Sequence, residues 1–179
     1  MTAEEYNSRG NTYYDQGKYD LAIADYTRAI QLNPKYNVAY NNRGYAYNNQ
    51  GKYDLAIADY TKAIQLDPER AYYYNIRGAI YEKQKEYEKA LDDYDIAISL
   101  GSKKAKDNRD ILLREHPELN MTAEEYNNRG YAYDDQGKYD LAIAYYTRAI
   151  EIDPKFAAAY NNRGAAYYNQ ARLLWYNQI

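Results

Sequence analysis

Residues 37–70 read N-V-A-Y-N-N-R-G-Y-A-Y-N-N-Q-G-K-Y-D-L-A-I-A-D-Y-T-K-A-I-Q-L-D-P-E-R, and the same 34-residue pattern returns along the chain. Its apolar residues recur at spacings of three, four and seven, the period of an amphipathic helix. Gly51-Lys52 interrupts that period midway, and glycine tolerates the left-handed conformation that ends a helix. Asp67-Pro68 closes the unit, since the residue before proline avoids helical angles. Each unit therefore predicts a helical hairpin, with helix A over unit positions 2–14 and helix B over positions 17–30.

With Gly44 counted as position 8, units begin at Ala3, Asn37, Ala71, Ala123 and Ala157. Position 4 is Tyr in all five (Tyr6, Tyr40, Tyr74, Tyr126, Tyr160), and so is position 11 (Tyr13, Tyr47, Tyr81, Tyr133, Tyr167). In the four complete units, position 20 is Ala (Ala22, Ala56, Ala90, Ala142), position 24 Tyr (Tyr26, Tyr60, Tyr94, Tyr146) and position 27 Ala (Ala29, Ala63, Ala97, Ala149). Proline stands at position 32 in Pro34, Pro68 and Pro154, with Ser102 in the third unit. Small residues at 8, 20 and 27 let the two helices approach, and the aromatics at 4, 11 and 24 fill the space beside them. A lone hairpin cannot bury both faces, so neighbouring units must stack.

This pattern resembles the tetratricopeptide repeat (TPR) family, whose signature is W-x2-L-G-x2-Y, then A-x3-F, then P. The resemblance implies an all-α fold, a right-handed α-solenoid of stacked antiparallel helical hairpins. One departure is consistent: the family's Leu at position 7 is Arg9, Arg43, Arg77, Arg129 and Arg163. Two readings of it stand. The arginine is a cation offered to a ligand, or it pairs with Asp at position 23 of helix B (Asp25, Asp59, Asp93), a partner that Tyr145 replaces in the fourth unit.

The expected organisation is three repeats over 3–104, a capping helix and linker over 105–122, a fourth repeat and half of a fifth over 123–170, and a divergent tail over 171–179. Residues 102–115 read as a further helix of mixed charge, suited to a solvated cap, and His116-Pro117 ends it. Residues 121–156 then repeat 1–36 with 27 of 36 positions identical. After Gln170, Ala171 stands where the turn glycine belongs, so the last A helix is expected to run on to about residue 177.

Composition narrows the function. The chain has 27 Tyr against one Phe and one Trp, so its aromatic surface carries hydroxyl tips. A net charge of −3 argues against nucleic acid as partner. There is no cysteine, hence no disulfide or thiolate metal site. No signal peptide or spanning segment is read in the sequence, and the expected setting is cytoplasmic with no membrane partner. No catalytic constellation, cofactor motif or metal-ligand spacing is read: His116 stands alone, and adjacent acids such as Asp134-Asp135 point about 100° apart on a helix. The expectation is a non-enzyme without cofactors.

In the family the A helices line the ligand face, through positions 2, 5, 6, 9, 12 and 13. Here position 5 is Asn7, Asn41, Asn75, Asn127 and Asn161, position 6 includes Asn42, Asn128 and Asn162, and positions 9 and 12 bring Tyr45 and Tyr131 with Tyr14 and Tyr168. Amides offer both donors and acceptors, which suits the backbone of an extended peptide. The two-carboxylate clamp of chaperone-tail-binding family members needs Lys and Arg, which positions 5 and 6 lack, while Glu4, Asp15 and Glu82 lean toward neutral or basic peptides. The leading expectation is an interaction scaffold for other proteins or peptides. The alternative is self-association through the C-terminal end, where the fifth unit lacks its B helix and leaves Tyr160, Tyr167, Leu174 and Trp175 to be covered.

Overall fold

The computed structural model describes residues 1–176, apart from the side chains of Glu118, Leu174 and Tyr176. Ten α-helices follow one another among the described residues: α1 (Ala3–Asp15), α2 (Tyr19–Leu32), α3 (Asn37–Asn49), α4 (Tyr53–Leu66), α5 (Ala71–Lys83), α6 (Tyr87–Ser99), α7 (Lys103–Glu115), α8 (Ala123–Asp135), α9 (Tyr139–Ile152) and α10 (Ala157–Tyr176). The only other regular element among these residues is a short 3-10 turn, Pro117–Leu119. The fold is an all-α array of helical hairpins, and the ends predicted from the repeat hold to within a residue or so. The chain divides into two compact units, Met1–Ala90 and Leu91 onward, with the division inside α6.

In the first unit α1 pairs with α2 and α3 with α4, α3 packs on α2, and α5 on α4. Thr2 starts α1 with a capping box: its hydroxyl accepts from the Glu5 N–H, and Glu5 accepts from the Thr2 N–H at 2.9 Å. The hairpin turns use Gly17 and Gly51, both at φ 72°. In the third repeat Lys85 takes that place at φ 61°, a conformation that costs a side-chain-bearing residue about 1 kcal/mol or more.

The centre of each hairpin is a Gly–Tyr contact. A Cβ at Gly10 would lie 2.6 Å from the Tyr26 ring, and one at Gly44 3.1 Å from the Tyr60 ring. Tyr26 and Tyr60 are buried among Ala22, Ala46, Ala56 and Ala63. The position-24 tyrosine thus slides beneath helix A only because position 8 has no side chain.

Arg9 and Arg43 bind within their hairpins, while Arg77 and Arg163 donate to Thr61 and Thr147 of the preceding repeat at 2.8 and 3.2 Å. Arg9 Nε donates to Asp25 Oδ2 at 2.6 Å. Arg43 holds Asp59 through two bonds of 2.8 and 2.7 Å, and a third to Thr27 Oγ1 at 3.0 Å reaches the preceding repeat. Burial raises the Asp59 carboxyl, and Arg43 pulls it back down. Since Asp59 is 5% exposed, a double-mutant cycle of Arg43→Ala and Asp59→Ala should return a coupling of roughly 1.5–3 kcal/mol, above the ~0.2–1 kcal/mol of surface pairs. Additive losses in urea melts would refute the clasp.

The second unit repeats the hairpin in α8 and α9, with α10 packed on α9. Gly130 accepts the Tyr146 ring at 2.7 Å from its would-be Cβ. Where Tyr145 replaces the aspartate, Arg129 lies over its ring at 5.7 Å instead. The inner face of α7 carries Ala105, Arg109, Leu112 and Leu113, all buried, while Lys103, Lys104, Lys106 and Asp107 are solvated. Arg109, 1% exposed, donates to Asp95 on α6 at 2.7 Å and approaches Glu151 on α9 at 3.7 Å. Asp92 of α6 accepts from the Tyr133 and Tyr145 hydroxyls. The mixed-charge helix is therefore solvated on one side and, on the other, bound by a buried ionic joint to the helices before and after it.

Candidate functional site

The A helices α1, α3 and α5 meet on one face of the first unit and enclose a cleft of about 330 Å³. Its side chains come from unit positions 2, 5, 6, 9, 12 and 13: Tyr72, Asn41, Asn42, Asn11 and Tyr45, Tyr14 and Asp15. An amide network forms its floor. Asn42 Nδ2 donates to Asn7 Oδ1 at 3.0 Å and to Asn11 Oδ1 at 3.1 Å, and Asn41 Nδ2 donates to Asn42 Oδ1 at 3.0 Å. The Tyr26 hydroxyl, emerging from beneath Gly10, donates to Asn11 Oδ1 at 2.8 Å. The walls are aromatic: the Tyr14 and Tyr45 rings lie 5.5 Å apart, and burial beside Tyr45 and Tyr19 pushes the Tyr14 phenol up to about 12.

Asn7 and Asn75, read as surface amides, are buried, and so is Asn127 in the second unit. Asn7 serves as an acceptor for the next repeat, and Asn127 does the same for Asn162, at 3.0 Å. Asn41, Asn42 and Asn162 are half-buried, while Asn128 and Asn161 are exposed with Tyr45 and Tyr131. At position 6, Asn42 and Asn162 each donate to the position-5 amide of the preceding repeat and stay half-buried. The periodicity did not single out Asn11 or Tyr72. Their signal was positional, since both occupy A-helix positions that turn into the cleft.

A second series of amides ties repeats together away from the cleft. Gln50 donates to Asp20 at 2.8 Å, Gln84 to Asp54 at 2.7 Å, and Gln170 contacts Asp140. Each joins position 14 of one unit to position 18 of the unit before it.

At the C-terminal end α10 runs on without a break past Ala171. Tyr160, Tyr167 and Trp175 are exposed, at 44, 52 and 60%. A Cβ at Gly164 would meet nothing within 4 Å, unlike the three helix-A glycines that hold a tyrosine. The Leu174 side chain and residues 177–179 lie outside the described residues. Among the described residues no cluster of His, Asp or Glu could hold a metal ion. No helix there is long and apolar enough to cross a membrane.

Comparison with known proteins agrees with this geometry. A tetratricopeptide repeat profile matches residues 3–36, 38–70 and 123–156, and a second profile of the same repeat matches 145–175. No match is found among curated proteins. Among solved structures, the TPR domain of Arabidopsis OM64 is 31% identical, with a TM-score of 0.59 over 64% of this chain and 95% of that one. The first TPR of Spaghetti (RPAP3), bound to the HSP90 peptide SRMEEVD, is 29% identical, with a TM-score of 0.60 over 64% of this chain and 92% of that one. The second TPR domain of human RPAP3, in complex with the HSP70 peptide SGPTIEEVD, is 30% identical, with a TM-score of 0.58 over 62% and 93%. Signature positions, hairpin geometry and these matches agree: the chain belongs to the tetratricopeptide repeat family.

Proposed function

We propose that this chain is a non-catalytic scaffold that binds extended peptide segments on its A-helix face, chiefly in the cleft of the first unit. The carrying observation is the amide floor framed by tyrosines. Asn42 and Asn11 come from successive repeats and share a bond of 3.1 Å, which leaves the Asn11 Nδ2 donors and an Asn42 Oδ1 lone pair for the backbone of an extended chain. The second unit contributes Asn128, Tyr131, Asn161 and Asn162 to the same reading; Asn7 and Asn127 hold Asn42 and Asn162 from beneath, Asn41 lines the cleft, and Asn75 is buried on α5. Relatives that bind chaperone peptides support a peptide ligand. Their acidic EEVD ends do not suit a cleft whose one charged lining residue is Asp15. No cofactor, membrane or nucleic acid enters this reading, which is of a cytoplasmic protein.

The test is a fluorescence anisotropy titration with a peptide selected from a random library on the parent protein. Asn42→Ala should weaken it about tenfold, the size of one lost charge-free hydrogen-bond pair, while circular dichroism stays unchanged because alanine is the better helix former. Unaltered affinity would reduce the amide row to a solvated surface.

A second reading, self-assembly, has one specific observation behind it: the empty slot at Gly164. Tyr160, Gly164, Tyr167 and Ala171 lie at spacings of four, three and four on the exposed face of α10. Laid antiparallel on a second copy, Gly164 faces Tyr167 and Tyr160 faces Ala171 in both directions, so each large residue meets a small one. Each α10 then covers the open face around Gly164 of the other. Sedimentation at tens of micromolar should give a dimer for the parent and a monomer for Gly164→Leu. A monomeric parent would sink this reading.

A further inference from the structure

We propose that the cleft of the first unit selects a cationic side chain, lysine or arginine, within the peptide it binds. The inference rests on the peptide-binding reading and names the side chain that reading would favour.

Three tyrosines frame the cleft. Tyr14 and Tyr45 stand 5.5 Å apart with their planes at 43°, and Tyr72, 46% exposed, closes the third side from the first turn of α5. Ring faces carry partial negative charge and attract a cation set among them. Asp15, at the rim, is exposed and makes no ion pair among the described residues, and no Lys or Arg lines the cleft. Its charge is therefore unopposed locally.

The floor gives an independent reason. Asn41 Oδ1 is buried and has no hydrogen-bond partner among the described residues, although the same amide donates through Nδ2 to Asn42. The Tyr60 hydroxyl is also buried and unpartnered, but it does not line the cleft. Tyr26, which has Asn11 beside it, is satisfied; Tyr60 has Tyr45 at the equivalent position and is not. Buried polar atoms left unpaired are costly, so a ligand that supplies donors is favoured over one that does not. Ammonium and guanidinium groups are donors only, three and five N–H respectively. An aliphatic side chain would leave the Asn41 oxygen unpaired, and a carboxylate would face Asp15 and the ring faces. At about 330 Å³ the cleft is at the small end of ligand sites and suits one long side chain.

The experiment uses the full chain, isotope-labelled, titrated with blocked alanine heptapeptides whose central residue is arginine, lysine, norleucine or glutamate. Chemical shifts report both location and affinity. Arginine and lysine peptides should bind about tenfold or more tightly than norleucine and glutamate, with shifts on α1, α3 and α5. Asp15→Asn combined with Tyr45→Leu, both at solvent-exposed positions, should erase that preference. Equal binding of all four peptides, or preference for glutamate, overturns the cation inference and leaves the peptide-binding reading intact. Binding by none of them overturns the inference and counts against the reading beneath it.

Discussion

Replacing Arg109 by alanine is expected to destabilise the second unit by about 3–5 kcal/mol at neutral pH, the largest single-site loss outside the hairpin cores. The guanidinium is 1% exposed and Asp95 4% exposed, so neither charge has water to fall back on. Removing the cation leaves a buried carboxylate with one oxygen, Oδ2, already unpaired and with only the more distant Arg148 to offset Glu151. Burial raises the Asp95 carboxyl to about 6 even with Arg109 pulling it down. The sign of the pH dependence follows. A group whose folded pKa lies above its unfolded value holds its proton more tightly when folded, so stability falls as pH rises through that window. Without Arg109 the folded pKa rises further, and the window extends upward. The deficit of Arg109→Ala should therefore be largest at pH 7 and shrink toward pH 5. Urea melts at the two pH values check this. Asp95→Leu with Arg109→Met should recover most of the loss, since packed apolar groups replace a buried ion pair at little cost. A loss below about 1 kcal/mol, or one equal at both pH values, would place the pair in solvent.

Tyr60→Ala should cost the first unit about 3–5 kcal/mol, as truncations of buried aromatics do. The ring is fully buried among Ala56, Ala63, Tyr73 and Ile80, and it fills the slot at Gly44. Tyr60→Phe separates the ring from its hydroxyl. The oxygen is buried without a partner, so deleting it should be neutral or slightly stabilising. Tyr26→Phe gives the contrast: it loses the 2.8 Å bond to Asn11 and should cost about 1 kcal/mol. Thermal melts of the three variants suffice. If Tyr60→Phe is as damaging as Tyr26→Phe, the hydroxyl has a partner in the folded protein.

The hairpins were legible because their determinants are local or strictly periodic. Glycine at position 8, alanine at 20 and 27 and the turn at Gly51-Lys52 fix where helices start, stop and touch. The Arg–Asp clasp was legible for the same reason, since positions 7 and 23 recur together. Substitution of Tyr145 disclosed its alternative, an arginine stacked on a ring. The joint at Arg109 was not legible. A charged residue on a helix of mixed charge looks solvated, and only the arrival of Asp95 and Glu151 from two other helices makes it a core residue. The amide face was legible in outline, not in depth. A helical period of 3.6 residues assigns positions 5 and 6 to one broad face. It is the packing of the next repeat that buries Asn7 and Asn127 and leaves Asn42 half-buried among Asn7, Asn11 and Asn41. Tyr72 went unnoticed among so many tyrosines, since it reaches the cleft only because α5 packs on α4.

The central claim is that the A-helix face of the first unit is where this protein meets its ligand. The most direct test maps a selected library peptide onto the full chain by backbone and side-chain amide chemical shifts. The account predicts saturable shifts at Asn11, Asn41, Asn42 and Tyr45, with the B helices α2 and α4 unaffected on their outer faces. Saturable shifts confined to those outer faces, or no peptide enriched above background, would contradict it.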